Sequence, residues 1–277
     1  MFGRFTILKQ WLDGNKNGVS FFALLERIFG LPYVRKAKKV IKSLNIREND
    51  IEIYFNNFEK PFYYPKNASL KMLYQVIAEL FYPNDWHYYE VDETKVSKED
   101  IVVDCGAAEG LFGMLIADRC KRVYAIEPLP EFIESMRLSF KNIDNIVLLP
   151  VAVSNKTGEG VISNNGIFSS ITLSKDNKNN LSNRISISTI DSLFFEKEID
   201  VNYLKADLEG FELQMLEGAV RTIEKNRPKI AITTYHKKED AEMISSFLLK
   251  INPGYKILTK GIEEKWGKPV MLHAWSD

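Results

Sequence analysis

Two apolar runs in this chain each end on a carboxylate. Ile101-Val102-Val103 leads into Asp104 and the small-residue stretch Cys105-Gly106-Ala107-Ala108-Glu109-Gly110. Val123-Tyr124-Ala125-Ile126 leads into Glu127 and Pro128. The spacing predicts a strand, a tight turn, a helix and a second strand, with Glu127 placed to accept hydrogen bonds from two ribose hydroxyls. Small residues admit a ligand close to the backbone, and a helix start offers unpaired N–H groups to an anion. Gly106, Ala107, Ala108 and Gly110 are therefore candidate residues of a site for a nucleoside-containing cofactor.

The register of the glycines discriminates between cofactors. A dinucleotide fingerprint G-x-G-x-x-G starting at Gly106 needs glycine at position 111, which is Leu111, and no phosphate-binding G-x-x-x-x-G-K-[ST] loop lies nearby. The chain instead reads D-x-G-x-A-x-G through Asp104, Gly106, Ala108 and Gly110. That form resembles the first motif of class I S-adenosylmethionine-dependent methyltransferases.

A second set of reactive groups lies downstream. Asp207 and Glu209 sit two residues apart at the end of a predicted strand. Such a pair could orient an acceptor hydroxyl, neutralise a sulfonium, cap the helix starting near Phe211, or bind a divalent cation. A cation needs more oxygen ligands than are visible, so no metal is assigned. His236 follows the apolar run Ile230–Tyr235. Of the three histidines it alone stands at the carboxyl end of a predicted core strand, and it is the expected proton acceptor, with Asp207 and Glu209 as substitutes. Its alternative role is to cap a helix or hold a loop. His273, within the last strand, is expected to be a packed, satisfied imidazole.

The elements that must position these residues alternate from Ile101 onward. Strands are predicted near 101–104, 123–127, 146–149, 203–207 and 229–235, and helices near 110–119, 130–141, 211–225 and 238–250, which implies a parallel sheet. Two short strands, Tyr255–Thr259 and Val270–Trp275, close the chain. Between Val161 and Ile187 the polar stretches Asn164-Asn165-Gly166 and Asp176–Asn180 interrupt the rhythm, as a surface excursion or a lid over the site. Residues 1 to about 50 read as helical, with Phe21, Phe22, Leu24, Leu25 and Ile28 forming a stripe continued by Val34, Val40, Ile41 and Leu44. Ile51–Phe55 and Pro61–Tyr64 flank a turn, giving a hairpin. A helix from about Ser69 to Phe81 carries Leu70, Leu73, Ile77 and Leu80 on one face. The aromatic run Trp86-His87-Tyr88-Tyr89 reads as packing between the two parts.

Bulk composition narrows the partners. Lysine plus arginine and aspartate plus glutamate number 37 each, with pI near 6.9, so no global basic field invites nucleic acid. Basic runs such as Arg35-Lys36-Ala37-Lys38-Lys39 read as a solvated helix face. Cys105 and Cys120 have neither metal-ligand spacing nor a disulfide framework and suit a reducing compartment. The most apolar N-terminal segment, Val19–Leu31, is broken by Glu26 and Arg27, so no membrane span is expected and the expected location is the cytoplasm.

At Lys205-Ala206-Asp207-Leu208-Glu209-Gly210-Phe211-Glu212, followed by Leu216-Glu217-Gly218-Ala219, the chain resembles the FkbM family of S-adenosylmethionine-dependent methyltransferases. Asp104–Gly110, Glu127-Pro128, Thr189–Leu193 and Tyr235–Asp240 extend the likeness over about residues 100–275. The resemblance implies a class I, Rossmann-like α/β domain over 96–277. Its sheet would be mostly parallel and seven-stranded, preceded by a mainly helical region with a hairpin over 1–95. That region would cover the cleft, bind the acceptor or mediate homo-oligomerisation. Asp104, Gly106, Ala107, Ala108 and Gly110 would receive the methionine part of S-adenosylmethionine, Glu127 and Pro128 its ribose side, and Ala152 the adenine, with Asp207 close by. Methyl transfer to a hydroxyl of a small-molecule or saccharide acceptor is the implied activity. A non-catalytic binding module and a nicotinamide-dependent oxidoreductase are the alternatives, the latter disfavoured by Leu111.

Overall fold

A computed structural model describes residues 2–162, 171–172 and 184–277. Its core is a seven-stranded sheet built from β4 (Ile101–Cys105), β5 (Arg122–Ile126), β6 (Ile146–Leu149), β11 (Tyr203–Ala206), β12 (Lys229–Thr233), β13 (Lys256–Lys260) and β14 (Met271–Trp275). The strand order is β13-β14-β12-β11-β4-β5-β6, and β14 runs antiparallel to both of its neighbours. The other pairings are parallel, with Lys205 opposite Asp104 and Asp104 opposite Ala125. This is the expected class I methyltransferase sheet.

Strands buried on both faces read as continuous apolar runs. Val102, Val103, Ile230 and Ile232 are fully inaccessible. One face packs against α5 (Leu111–Ile116), α6 (Pro130–Phe140) and the N-terminal region. The other packs against α8 (Glu212–Glu217), α9 (Val220–Asn226) and α10 (Asp240–Ile251). The single helix predicted over 211–225 is two, separated at Gly218-Ala219. Chain order along the sheet reverses between β4 and β11, and a crevice opens beyond the carboxyl ends of strands at such a switch point.

The N-terminal region holds α1 (Phe2–Leu12), α2 (Phe21–Phe29), α3 (Tyr33–Val40), β1 (Ile41–Ile46), β2 (Asp50–Phe55), β3 (Phe58–Pro65) and α4 (Leu70–Phe81). The predicted hairpin is present with a tighter turn at Asn56-Asn57, and Ser69 caps α4 through Met72 N–H. Two expectations fail. Residues 41–46 form a strand that pairs with β2, Leu44 opposite Ile53, because a preformed hairpin edge satisfies their backbone better than an isolated helical turn. Phe21 and Phe22 point away from the core that buries Leu24 and Ile28.

Residues of β2, β3 and α4 share one continuous core with β4, β5, α5 and α6. A second sheet, ordered β7-β10-β8-β9, comprises Ala152–Val153, Arg184–Ser188, Gly158–Ile162 and Ile171–Thr172. The polar stretches expected as an excursion or lid, Asn164–Gly166 and Asp176–Asn180, lie outside the described residues.

Candidate active site

The turn after β4 approaches β11 so closely that a Cβ at Gly106 would overlap the Asp207 carbonyl. Gly106 has φ +73°, Ala108 +46° and Gly110 +80°, left-handed values that favour glycine. At Gly110 an added Cβ would lie 2.5 Å from Phe140 on α6. The two glycines thus bring protein segments together, while Gly106, Ala107 and Ala108 line the cavity at the switch point. Gly110, expected at the cofactor, is occupied by packing and does not face the cavity.

Glu127 lies on the cavity wall at the end of β5. One oxygen accepts the Ala108 N–H and the other the Leu129 N–H, both at 2.9 Å. Each oxygen retains a lone pair for a ligand hydroxyl. Burial pushes this carboxyl up to about 7 against the pull of the two N–H groups, and burial does the same to Glu109 beside it. Pro128, Leu208 and Gly106 also border a narrow apolar slot completed by Ala152, Val153 and Phe211. A flat heteroaromatic ring suits such a slot.

Asp104, expected to touch the cofactor, is fully buried beneath the turn and absent from the wall. Its carboxylate pairs with Lys205 Nζ at 2.8 Å, and Lys205 donates to the Gly106 carbonyl at 2.7 Å. Asp104 lies opposite Lys205 in register and on the same face of the sheet, so it anchors Lys205, which does line the cavity.

Asp207 occupies the opposite wall. Tyr89 donates to its Oδ2 at 2.9 Å and Thr233 to its Oδ1 at 3.2 Å; Nε2 of His87 and of His236 each lie 3.7 Å away. Burial disfavours its charge, but His87, Lys205 and His236 outweigh that and hold the carboxyl below its ordinary value. Glu209 stands beside it with φ +51°, lining the cavity. Burial pushes its carboxyl up to about 7, with Asp207 adding repulsion and His236 working the other way.

His236 is behind these carboxylates and absent from the cavity wall. Its Nδ1 is 2.8 Å from Glu212 Oε1 and its Nε2 is 3.4 Å from Glu209 Oε2. Burial alone would lower its pKa, but Glu212, Asp207 and Glu209 raise it to about 9. His236, the expected proton acceptor, thus stands behind the cavity wall in surroundings that favour its charged form, which has no lone pair for a proton.

Neither Asp207 nor Glu209 caps α8, whose N-cap Phe211 makes no side-chain capping bond; Glu212 instead ties together the turn that precedes the helix. Its Oε1 accepts from Leu208 N–H at 2.9 Å, Gly210 N–H at 3.3 Å and Thr233 Oγ1 at 3.2 Å besides facing His236. Asp207, Glu212 and His236 present ligand atoms within 4.8 Å of one another, and they are the only such trio among the described residues. Oε1 of Glu212 takes the backbone, hydroxyl and imidazole contacts, while its Oε2 and His236 Nε2 are buried without a hydrogen-bond partner among the described residues. His273 is packed as expected but only half satisfied: it is fully buried with Nδ1 3.1 Å from Thr94 Oγ1, Nε2 has no hydrogen-bond partner among the described residues, and burial lowers its pKa to about 3.

Sequence reasoning expected the N-terminal region to cover the cleft, bind the acceptor or mediate self-association, but named none of the residues by which it reaches the cavity. Met72, Gln75, Val76 and Glu79 of α4 wall the cavity. The aromatic run supplies Tyr89 and His87, whose Nε2 lies 3.2 Å from Tyr235 Oη and whose Nδ1 is 3.7 Å from Glu79. The only sequence signal was a histidine and two tyrosines placed just before the first core strand.

Fold and cleft define a class I S-adenosylmethionine-dependent methyltransferase domain, and the apolar slot, the Glu127 carboxylate and the tight turn fit that cofactor. The chain belongs to the Methyltransferase FkbM domain family, whose model matches residues 104–257. This excludes the oxidoreductase reading. An FkbM methyltransferase from Methylobacillus flagellatus shares the fold at 21% identity and TM-score 0.51, over 73% of this chain and 54% of that one. The present chain therefore spans about half the length of that protein. An rRNA methylase from Streptococcus thermophilus aligns at 16% identity and TM-score 0.42, over 65% and 89% of the two chains. Precorrin-6y C5,15-methyltransferase from Geobacter metallireducens aligns at 15% identity and TM-score 0.38, over 66% and 85%. No match was found among curated proteins. No helix among the described residues is long and apolar enough to cross a membrane.

Proposed function

We propose that this protein transfers a methyl group from S-adenosylmethionine to a hydroxyl oxygen of a small-molecule or saccharide acceptor, with Glu209 taking the hydroxyl proton. The carrying observation is Glu209 itself: a cavity-lining carboxyl raised to about 7, beside the charged imidazole of His236. An acid tuned near the working pH is an efficient proton acceptor. When bound, the cofactor supplies an electrophilic methyl group. Glu127 would hold the ribose, Gly106–Ala108 the methionine part, and Pro128 and Ala152 the adenine.

The chain's own groups then have separate tasks. Asp207, kept ionised, would orient the acceptor hydroxyl toward Glu209 and balance positive charge in the cleft. His236 positions Glu209 and favours its ionised form. Residues 1–95 would act as the cleft cover, since α4 and His87 supply a wall of the cavity. The amide of Gln75 and the carboxyl of Glu79 on that wall can hydrogen-bond a polyhydroxylated acceptor.

The test is to measure S-adenosylhomocysteine release against a panel of hydroxyl-bearing sugars, with and without a chelator. Acceptor-dependent release that persists under chelation is expected. A protein that binds the cofactor tightly yet turns over with no acceptor would instead be the non-catalytic binding module. Loss on chelation, restored by magnesium, would make Asp207, Glu212 and His236 metal ligands.

A further inference from the structure

Charge is unevenly distributed along this electroneutral chain. Residues 1–46 carry nine lysines and arginines against Asp13 and Glu26 alone, while the whole chain has 37 of each sign. These residues form α1, α2, α3 and β1.

The same helices leave large apolar side chains in solvent. On α2, Phe22 and Phe29 are 81% and 79% exposed; on α1, Phe5 and Leu12 are 62% and 68% exposed. A seven-residue interval is close to two helical turns, so each pair stands on one face. Those faces lie away from Leu24 and Ile28 on α2 and Ile7 on α1, which are buried. Arg4 donates to the Ile28 carbonyl at 2.6 Å and the Trp11 ring lies 6.1 Å from Phe21, so the two helices pack antiparallel. Exposed Leu31 and Val34 carry the apolar surface on to α3.

The cations sort in the same way. Arg27 and Lys36, turned inward, reach Asp85 at 3.4 and 3.6 Å. Arg35, Lys38, Lys39 and Lys42 are exposed, and none has an ion-pair partner among the described residues. Val34 and Lys38 are one turn apart, as are Arg35 and Lys39, so apolar and basic groups adjoin on α3.

Exposed rings beside unpaired cations match the two layers of an anionic bilayer surface. Rings enter the boundary between headgroups and acyl chains, and cations meet lipid phosphates. A second copy of this chain would bring two positive faces together, which is unfavourable. A nucleic-acid backbone would leave the phenylalanines in water, and no residue of 1–46 lines the cavity where a target base would have to arrive. We propose that α1–α3 form a docking face for an anionic phospholipid bilayer, with the protein lying on the membrane rather than spanning it.

The test is co-sedimentation of the full chain with vesicles of phosphatidylcholine alone and of equal parts phosphatidylcholine and phosphatidylglycerol. Pelleting is expected with the anionic vesicles, weakened by salt, and not with the neutral ones. Phe22→Ser with Phe29→Ser, and separately Lys38→Glu with Lys39→Glu, should each reduce the partition coefficient on the order of tenfold or more. Both variants should melt like the parent, since the altered side chains are exposed. No pelleting with anionic vesicles, or undiminished pelleting of both variants, overturns the proposal. So does a dimer in light scattering that Phe22→Ser with Phe29→Ser dissociates, or binding to an RNA oligonucleotide in place of vesicles.

Discussion

Glu209 and His236 divide between them a task that one residue type could have been expected to perform alone. With Glu209 near 7 and His236 near 9, the carboxyl loses its proton first and the imidazole keeps its own through the neutral range. Turnover should therefore rise with pH through about 7 in the parent. Glu209→Gln should lower it about 10²–10⁴-fold at every pH, as for loss of a general base. His236→Asn removes the charge that favours ionised Glu209, so its rate profile should move to higher pH while the plateau falls much less. An unshifted midpoint in His236→Asn would show the histidine to be merely structural. At Glu127, the ionised carboxylate offers the ribose hydroxyls more lone pairs than the protonated acid does. Calorimetry should show S-adenosylhomocysteine binding weakening as pH falls below about 7, and Glu127→Ala losing about 1.5–3 kcal/mol per hydrogen bond. Equal affinity of Glu127→Ala would remove Glu127 from the ribose.

The turn between β4 and α5 shows how an element serves a site without each of its residues touching the ligand. Asp104, Gly106 and Gly110 were legible as a motif, and their order along the chain is correct. Their tasks differ: Asp104 anchors Lys205, Gly106 admits the Asp207 carbonyl, and Gly110 admits Phe140. A motif reports which residue types a backbone path needs, not which neighbour needs them. Gly106→Ala combines left-handed strain with overlap against backbone and should cost about 2–5 kcal/mol in a denaturant melt. Stability unchanged within error would mean that the turn has room the packing denies. Glu212 is an element-scale residue of the same kind, tying Leu208, Gly210, Thr233 and His236 together at the start of α8.

Across the whole molecule, ionisable groups gathered at one cleft make folding pH-dependent. Glu109, Glu127 and Glu209 stand near 7 in the folded chain, above the ordinary carboxylate value, so they retain protons that the unfolded chain has released. A carboxyl raised on folding contributes stability at low pH that is lost as pH rises through its folded value. His236, raised to about 9, contributes stability that is full below its unfolded value and lost as pH rises through 9. His273 acts oppositely, but only below its unfolded value near 6.5. The cofactor-free protein should therefore melt at progressively lower temperature as pH is raised from about 6.5 to about 8. Glu109→Gln combined with Glu127→Gln should flatten the part of that slope below about 7, and His236→Asn the part above it. A melting temperature that climbs over this window in the parent would contradict the raised values of these carboxyls and of His236.

By itself the sequence determined the elements of the core and the family motif. Period and turn chemistry are local: apolar runs, Gly106, Pro130 and the spacing from Asp104 to Glu127 constrain only neighbouring backbone. The core strands and the hairpin could be read from them, and so could the ligand side of the sheet. Residues 41–46 could not, because their strand exists only where β2 offers an edge to pair with. Tertiary structure alone decided which groups meet. Tyr89 reaches Asp207 across 118 residues of chain, and α4 closes a wall over a cleft whose motifs begin beyond it. It also decided protonation: three carboxylates around His236 make an ordinary histidine a resident cation, and burial turns Glu209 into an acid near neutrality. Both effects depend on distance and dielectric between segments far apart in sequence, which no local pattern of residues records.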